Sequence, residues 1–327
     1  MKYAYLFSGQ GSQFKGMAKD ICDNSVAARN IVNKVSKITG EDIPALLWDT
    51  EEKILSRSDK SQIAISTMSL AIVAALKEKG IEPSAVAGFS LGEFPALYTA
   101  GVLDFETMVK VVQQRGNVMQ KCCEEIASNN AGAAPGMAAV IGLSPEKVVE
   151  ICKPLSEKGL LFAANLNSPK QTVVSGTYEG IRLGETLMKE AGAKRYITLA
   201  VAGPFHSPLM SSASEEFRKI LEQVEFHNPK IPLFANVTGK LVSSGQEAKQ
   251  NALLHLTHSL LWTDVEKVLA DTMSKSGNEW QVVECGAGKV LFGFWRDSGF
   301  NYTKNDDGTS SGWECKLAGT WDHISVL

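Results

Sequence analysis

Gly88-Phe89-Ser90-Leu91-Gly92 follows the apolar run Ala85-Val86-Ala87 and precedes a helix-like stretch, Glu93 to Ala100. A strand, a turn with glycine on either side of a serine, and then a helix make the context of a nucleophile elbow. The glycines admit a tight turn, and the serine at its tip is held in a strained conformation. Ser90 is therefore the candidate covalent nucleophile. The N–H of Leu91 then points toward whatever oxygen turns negative when Ser90 attacks a carbonyl. The pentapeptide alone also arises by chance in loops; the flanking strand and helix give it meaning.

Outward from this turn, the first ~125 residues alternate short apolar strands with amphipathic helices. Tyr3–Phe7 reads as a strand leading into the loop Ser8–Lys15, with helical patterns at about 17–37, 61–79 and 105–127. Near-continuous apolar strands imply a parallel sheet covered on both faces. Asn129 to Gly136 is small and uncharged, and reads as a connector. Beyond it come strand Met137–Ile141, a helix opened by Ser144-Pro145-Glu146, strands Leu161–Leu166 and Thr172–Ser175, helix Tyr178–Ala191 and strand Tyr196–Val201. That β-α-β-β-α-β order is the ferredoxin-like pattern. The expected fold is α/β: an α/β-hydrolase-like core with a parallel sheet, plus an inserted ferredoxin-like subdomain. Residues 1–131 and 204–327 form the large subdomain, and residues 132–203 the lid. Helices near 210–223, 249–259 and 264–275, and strands at Leu233–Val237 and Gln281–Glu284, complete the core. Asn301–Gly312, polar and rich in Gly, Ser and Asp, reads as an exposed loop.

The chain has 327 residues, 44% of them apolar, and a net charge of −3. That charge gives no support to nucleic-acid binding. No apolar run reaches the ~18 residues of a membrane span. Met1-Lys2-Tyr3 runs directly into an apolar strand, so no signal peptide is expected. The six cysteines make no C-x-x-C pair and read as reduced thiols of a cytoplasmic protein.

A serine nucleophile needs a base, and five histidines are available. His227 sits in a turn beside Asn228-Pro229, and His323 lies in the tail. His255 and His258 stand three apart on a helical pattern but lack a third metal ligand, so no metal site is expected. His206, in Gly203-Pro204-Phe205-His206-Ser207-Pro208, is fixed by two prolines where the chain returns from lid to core. An oxyanion needs two N–H donors. Leu91 supplies one. The glycine-rich turn Ser8 to Gln13 lies at the carboxyl edge of the sheet, and Gln10 N–H is the natural second. That turn lacks the endings of a phosphate-binding loop. Arg115, amid Val111, Val112, Val118 and Met119, reads either as a solvated helix residue or as a guanidinium facing the cleft. The residues alone do not choose.

In order along the chain stand Gly9-Gln10-Gly11-Ser12-Gln13, Gly88-Phe89-Ser90-Leu91-Gly92-Glu93, Gln114-Arg115-Gly116 and Pro204-Phe205-His206-Ser207. With Asn165 and Asn167, Trp262-Thr263-Asp264 and Glu284-Cys285-Gly286-Ala287-Gly288, they resemble the malonyl-CoA:acyl-carrier-protein transacylases and related polyketide acyltransferase domains, over roughly residues 3–297. The resemblance implies Ser90 as acylated nucleophile, His206 as base, Gln10 and Leu91 as oxyanion donors, and Arg115 as clamp for a malonyl carboxylate. It implies malonyl-CoA and acyl carrier protein as substrates, no further cofactor, and a cytoplasmic enzyme of fatty-acid synthesis, expected to be a monomer. Phe205 would supply bulk against a branched acyl group, and Asn165, Asn167 and His255 would help bind substrate.

Three departures stand out. Phe89 occupies a position where the family often has His. His255 occupies one where it usually has Gln that helps orient the catalytic histidine. If that position acts through its backbone carbonyl, His255 can substitute; if through its side chain, the contact is in doubt. The stretch Asn301–Gly312 reads as an insertion. A trans-acting polyketide-synthase acyltransferase would be chemically the same enzyme. A serine thioesterase or esterase would share the elbow without needing Arg115, and a non-catalytic scaffold would not need Ser90, His206 and Arg115 together.

Overall fold

A computed structural model describes residues 1–130, 132–304 and 310–327. In chain order its strands are β1 (Lys2–Phe7), β2 (Pro83–Gly88), β3 (Gly136–Ile141), β4 (Leu161–Ser168), β5 (Gln171–Gly176), β6 (Arg195–Thr198), β7 (Leu233–Ala235), β8 (Lys240–Leu241), β9 (Trp280–Cys285), β10 (Thr303–Lys304), β11 (Ser310–Ser311) and β12 (Cys315–Leu317). The larger sheet runs β12-β9-β1-β2-β7-β8 and is parallel except for β8. A second, antiparallel sheet runs β4-β5-β3-β6.

The larger sheet is sandwiched because its strands are apolar on both faces. Tyr5, Phe7 and Val86 pack toward helix Ser58–Glu78, while Ala4, Leu6 and Ala85 pack toward Trp262, Leu269 and Trp295. Ser58–Glu78 is buried along most of its length, with apolar or small residues all round, as a central helix must be. Helix Phe105–Asn129 lies against it and carries Arg115 inward.

β1 and β2 are neighbours, with Phe7 opposite Gly88, so the loop after β1 and the elbow after β2 emerge side by side. Phe89 N–H donates to Phe7 C=O at 2.8 Å and joins the two turns. The second sheet covers this edge and is tied to the core. Leu166 N–H donates to Leu260 C=O at 2.9 Å, and Leu260 N–H to Ala164 C=O at 2.8 Å.

The sequence reading differs from the structure in four places. The helical pattern at 17–37 breaks at Ser25, whose side chain caps the second segment, Val26–Thr39, by accepting from Ala28 N–H. The helix expected near 249–259 is Gly245–Leu254 and ends before the histidines. The last strand of the second sheet stops at Thr198. The stretch 301–312 is not wholly a loop: β10 and β11 pair within it, while Asn305 to Thr309 lie outside the described residues. After it, β12 adds an edge to the larger sheet. Among the described residues, no helix is long and apolar enough to cross a membrane, and the six cysteines are buried and free.

Candidate active site

The elbow is built by close backbone approach. A Cβ on Gly88 would lie 1.9 Å from Gly92 O, and one on Gly92 would lie 2.1 Å from Phe7 O. Only glycine fits either position, which explains the spacing around Ser90. Ser90 itself sits at φ 51°, in the left-handed region. The strain is offset by Asn236, just after β7. Its Oδ1 accepts from Ser90 N–H at 2.8 Å, and its Nδ2 donates to Gly88 C=O. The backbone N–H of Asn236 donates in turn to Glu93 Oε2 at 2.9 Å. Nothing in the sequence reading pointed to Asn236 or gave Glu93 a role. The visible signal was only Glu93 placed directly after the elbow.

Ser90 Oγ and His206 Nε2 stand 2.9 Å apart. His206 too has a left-handed backbone, φ 57°, held between the prolines flanking it. Its Nδ1 donates to the carbonyl of His255 at 2.8 Å. That carbonyl is free because helix Gly245–Leu254 ends there, leaving His255 as C-cap. Of the two alternatives for this position, the structure shows the backbone one. Since Nδ1 carries the proton, a neutral Nε2 presents its lone pair to Ser90. Burial pushes the His206 imidazole well below its ordinary value, and the nearby Arg115 cation lowers it further. At neutral pH the ring is therefore an unprotonated acceptor.

Gln10, Phe89, Ser90, Asn165, Phe205 and His206 line one cleft of about 140 Å³, with Met119, Val173 and Leu199 as apolar walls. Among the described residues, neither Gln10 N–H nor Leu91 N–H donates to a protein acceptor, which leaves both available to an anionic oxygen. Asn165, next to a bulge in β4, has a buried Oδ1 without a partner among the described residues. Asn167 stands apart from this cleft and donates from Nδ2 to Gln171 Oε1 at 2.8 Å. Phe89, one of the three departures, wedges between Trp262 and Phe294 at ring separations of 5.4 and 5.8 Å.

Arg115 is 1% exposed, so the solvated-helix reading fails. It is not among the residues that line the cleft. Nη1 donates to Gln62 Oε1 at 2.7 Å, Nη2 lies 3.3 Å from His255 Nδ1, and the guanidinium stacks 5.3 Å from the Phe94 ring. Burial lowers its pKa to about 9, and Glu93 acts in the opposite direction, so it stays cationic at neutral pH. No carboxylate among the described residues comes within ion-pair distance of it, and Nε has no partner. His255 likewise sits behind His206 and is buried, away from the cleft wall.

A serine hydroxyl against a neutral imidazole, beside two free N–H groups and a short apolar cleft, is the equipment of a serine acyl-transfer enzyme. The acyltransferase family described as "Acyl transferase domain" matches residues 4–256. The chain is 34% identical over 294 residues to the malonyl CoA-acyl carrier protein transacylase of Bacillus subtilis (strain 168), covering 89% of each. It is 36% identical over 295 residues to the protein of that name from Haemophilus influenzae, covering 89% of this chain and 90% of the relative. Among solved structures, an acyl carrier protein S-malonyltransferase from Vibrio cholerae O1 superposes with TM-score 0.86 at 31% identity, covering 100% of this chain and 99% of that one. A malonyl-transacylase solved in complex with its type II PKS acyl-carrier protein gives TM-score 0.86 at 29% identity, covering 100% and 98%. The chain belongs to the acyl transferase family, among its malonyl CoA-acyl carrier protein transacylases.

Proposed function

We propose that this chain moves a malonyl group from malonyl-CoA to the phosphopantetheine thiol of acyl carrier protein through a malonyl-Ser90 ester, supplying fatty-acid synthesis in the cytoplasm. The observation that carries the reading is the 2.9 Å contact between Ser90 Oγ and His206 Nε2, with Nδ1 anchored on a neutral carbonyl. His206 Nε2 takes the Ser90 proton as Oγ bonds to the thioester carbonyl. The oxyanion is held by Gln10 and Leu91 N–H. The carbonyl re-forms, the C–S bond breaks, and the CoA sulfur leaves with the proton from His206. In the second half the carrier thiol gives its proton to His206 and attacks the ester, and Ser90 Oγ leaves with that proton. Nucleophile, base and oxyanion donors all come from the chain, so the scheme calls on no cofactor.

Arg115 is the proposed partner of the malonyl carboxylate. A buried guanidinium without an adjacent acid is a costly arrangement that an anionic ligand relieves. The strand order β4-β5-β3-β6 supports reading residues 132–203 as a ferredoxin-like lid over an α/β-hydrolase-like core made by 1–131 and 204–327. Mass spectrometry of protein incubated with malonyl-CoA tests the proposal. One malonyl group should map to the Ser90 peptide, vanish in Ser90→Ala, and pass to holo carrier protein faster than to water. Label retained in Ser90→Ala, or hydrolysis outrunning transfer, overturns it.

A further inference from the structure

The charge of Arg115 has a counterpart one side chain away. His255 Nδ1 lies 3.3 Å from Arg115 Nη2, and His255 Nε2 lies 3.5 Å from Glu93 Oε2. All three groups are buried. A guanidinium can only donate, so Nδ1 must be the lone-pair nitrogen of the ring. Nε2 then carries the hydrogen and faces the carboxylate. The 3.5 Å separation is long for a hydrogen bond, which leaves Nε2 without one and makes the contact electrostatic. The same Oε2 accepts from Asn236 N–H, and Asn236 holds the Ser90 turn. One carboxylate thus serves two arms, one to the elbow and one to the guanidinium.

We infer that Glu93 and the His255 ring are positioning residues that orient Arg115 for an anionic acyl group, the ring acting as a neutral relay between cation and acid. The inference rests on Arg115 being the carboxylate clamp. It separates two functions at one position: the His255 backbone carbonyl serves His206, and the His255 side chain serves Arg115. A carboxamide at 255 could accept from Arg115 through oxygen and donate to Glu93 through nitrogen. An aliphatic side chain could do neither, yet would leave the carbonyl to His206.

The test compares kcat/KM for malonyl-CoA and acetyl-CoA in the unaltered enzyme, Arg115→Ala, His255→Leu, His255→Gln and Glu93→Gln, with 15N NMR of the unaltered enzyme's histidines. Arg115→Ala should lower the malonyl:acetyl ratio by roughly tenfold to a hundredfold, as loss of a charge-assisted pair implies. His255→Leu should lower that ratio by about tenfold, through KM for malonyl-CoA, and add little on top of Arg115→Ala. Glu93→Gln should lower it in the same direction, and His255→Gln should recover most of the loss. The His255 ring should show a proton on Nε2 and none on Nδ1. A lowered ratio in Arg115→Ala with no change in His255→Leu overturns the relay and leaves the clamp standing. An unchanged ratio in Arg115→Ala overturns the clamp, and with it the relay's role in recognition. A proton on Nδ1 overturns the relay whichever variants fold.

Discussion

His206 Nδ1 donates to the backbone carbonyl of His255 at 2.8 Å, and no carboxylate among the described residues bonds to this ring. A carbonyl fixes the tautomer as well as an acid would, but it lends the ring no negative charge. Burial together with the neighbouring Arg115 cation therefore keeps His206 neutral well below its ordinary pKa of 6.5. Malonyl transfer should stay flat from pH 8 to pH 6.5 and fall only at lower pH. The same shift has a stability consequence. The unfolded ring takes up a proton near pH 6.5 before the folded one can, so stability present above 6.5 is lost as pH falls toward the folded value. Thermal unfolding from pH 7.5 to 5 should show a drop that His206→Ala reduces. An acid limb of activity centred at or above 6.5 contradicts this.

Asn236 is the second expectation. It satisfies one donor and one acceptor inside the strained turn, Ser90 N–H and Gly88 C=O. Asn236→Ala leaves both buried groups unpaired, at ~1–3 kcal/mol each. It also frees Ser90 to leave φ 51°. Misplacing a nucleophile by about 1 Å costs on the order of a hundredfold in rate. Single-turnover acylation should fall by roughly that factor, with a lower melting temperature. Acylation at full rate would show that the two glycines alone hold the elbow.

Glu266 gives a prediction away from the site. It lies on helix Trp262–Lys275 between Trp262 Nε1 at 2.9 Å and Ser298 Oγ, fully buried. Burial raises its pKa from 4.5 to about 8. The native state then holds a proton that the unfolded state has released, so stability present below pH 4.5 is lost as pH rises toward 8. The loss is on the order of a few kcal/mol. Glu266→Gln keeps an acceptor for Trp262 and removes the ionisation. Calorimetry should show it raising the melting temperature more at pH 8.5 than at pH 5. An equal effect at both pH values would mean that the acid does not titrate in the fold.

Local patterns made much of this molecule legible. The elbow, the order of strands in the second sheet, and His206 between prolines each lie in a short stretch whose chemistry is self-contained. What stayed hidden depends on contacts distant in sequence. Asn236 meets Ser90 across 146 positions and Arg115 meets His255 across 140. Periodicity also carried helix 249–259 past its true end, because Thr257 and His258 turn back onto Leu254 C=O. That early stop is what frees the His255 carbonyl. β12 was missed because three residues carry too little periodicity to mark a strand.

Phe205 carries the last prediction. It is 7% exposed, lines the cleft beside His206, and faces the same small cavity as Met119 and Val173. A methyl branch next to the thioester carbonyl has to displace either this ring or the substrate. Forcing one extra carbon into a packed site costs ~1–3 kcal/mol, a discrimination of roughly tenfold to two-hundredfold. Phe205→Ser opens that space without touching the Ser90–His206 contact. The ratio of kcat/KM for methylmalonyl-CoA to that for malonyl-CoA should rise by about tenfold or more, chiefly through the methylmalonyl value. The acetyl value should move little, because acetyl carries no branch to accommodate. A fall in all three together would show that the ring only supports His206. An unchanged ratio would move exclusion of the branch to another wall of the cleft.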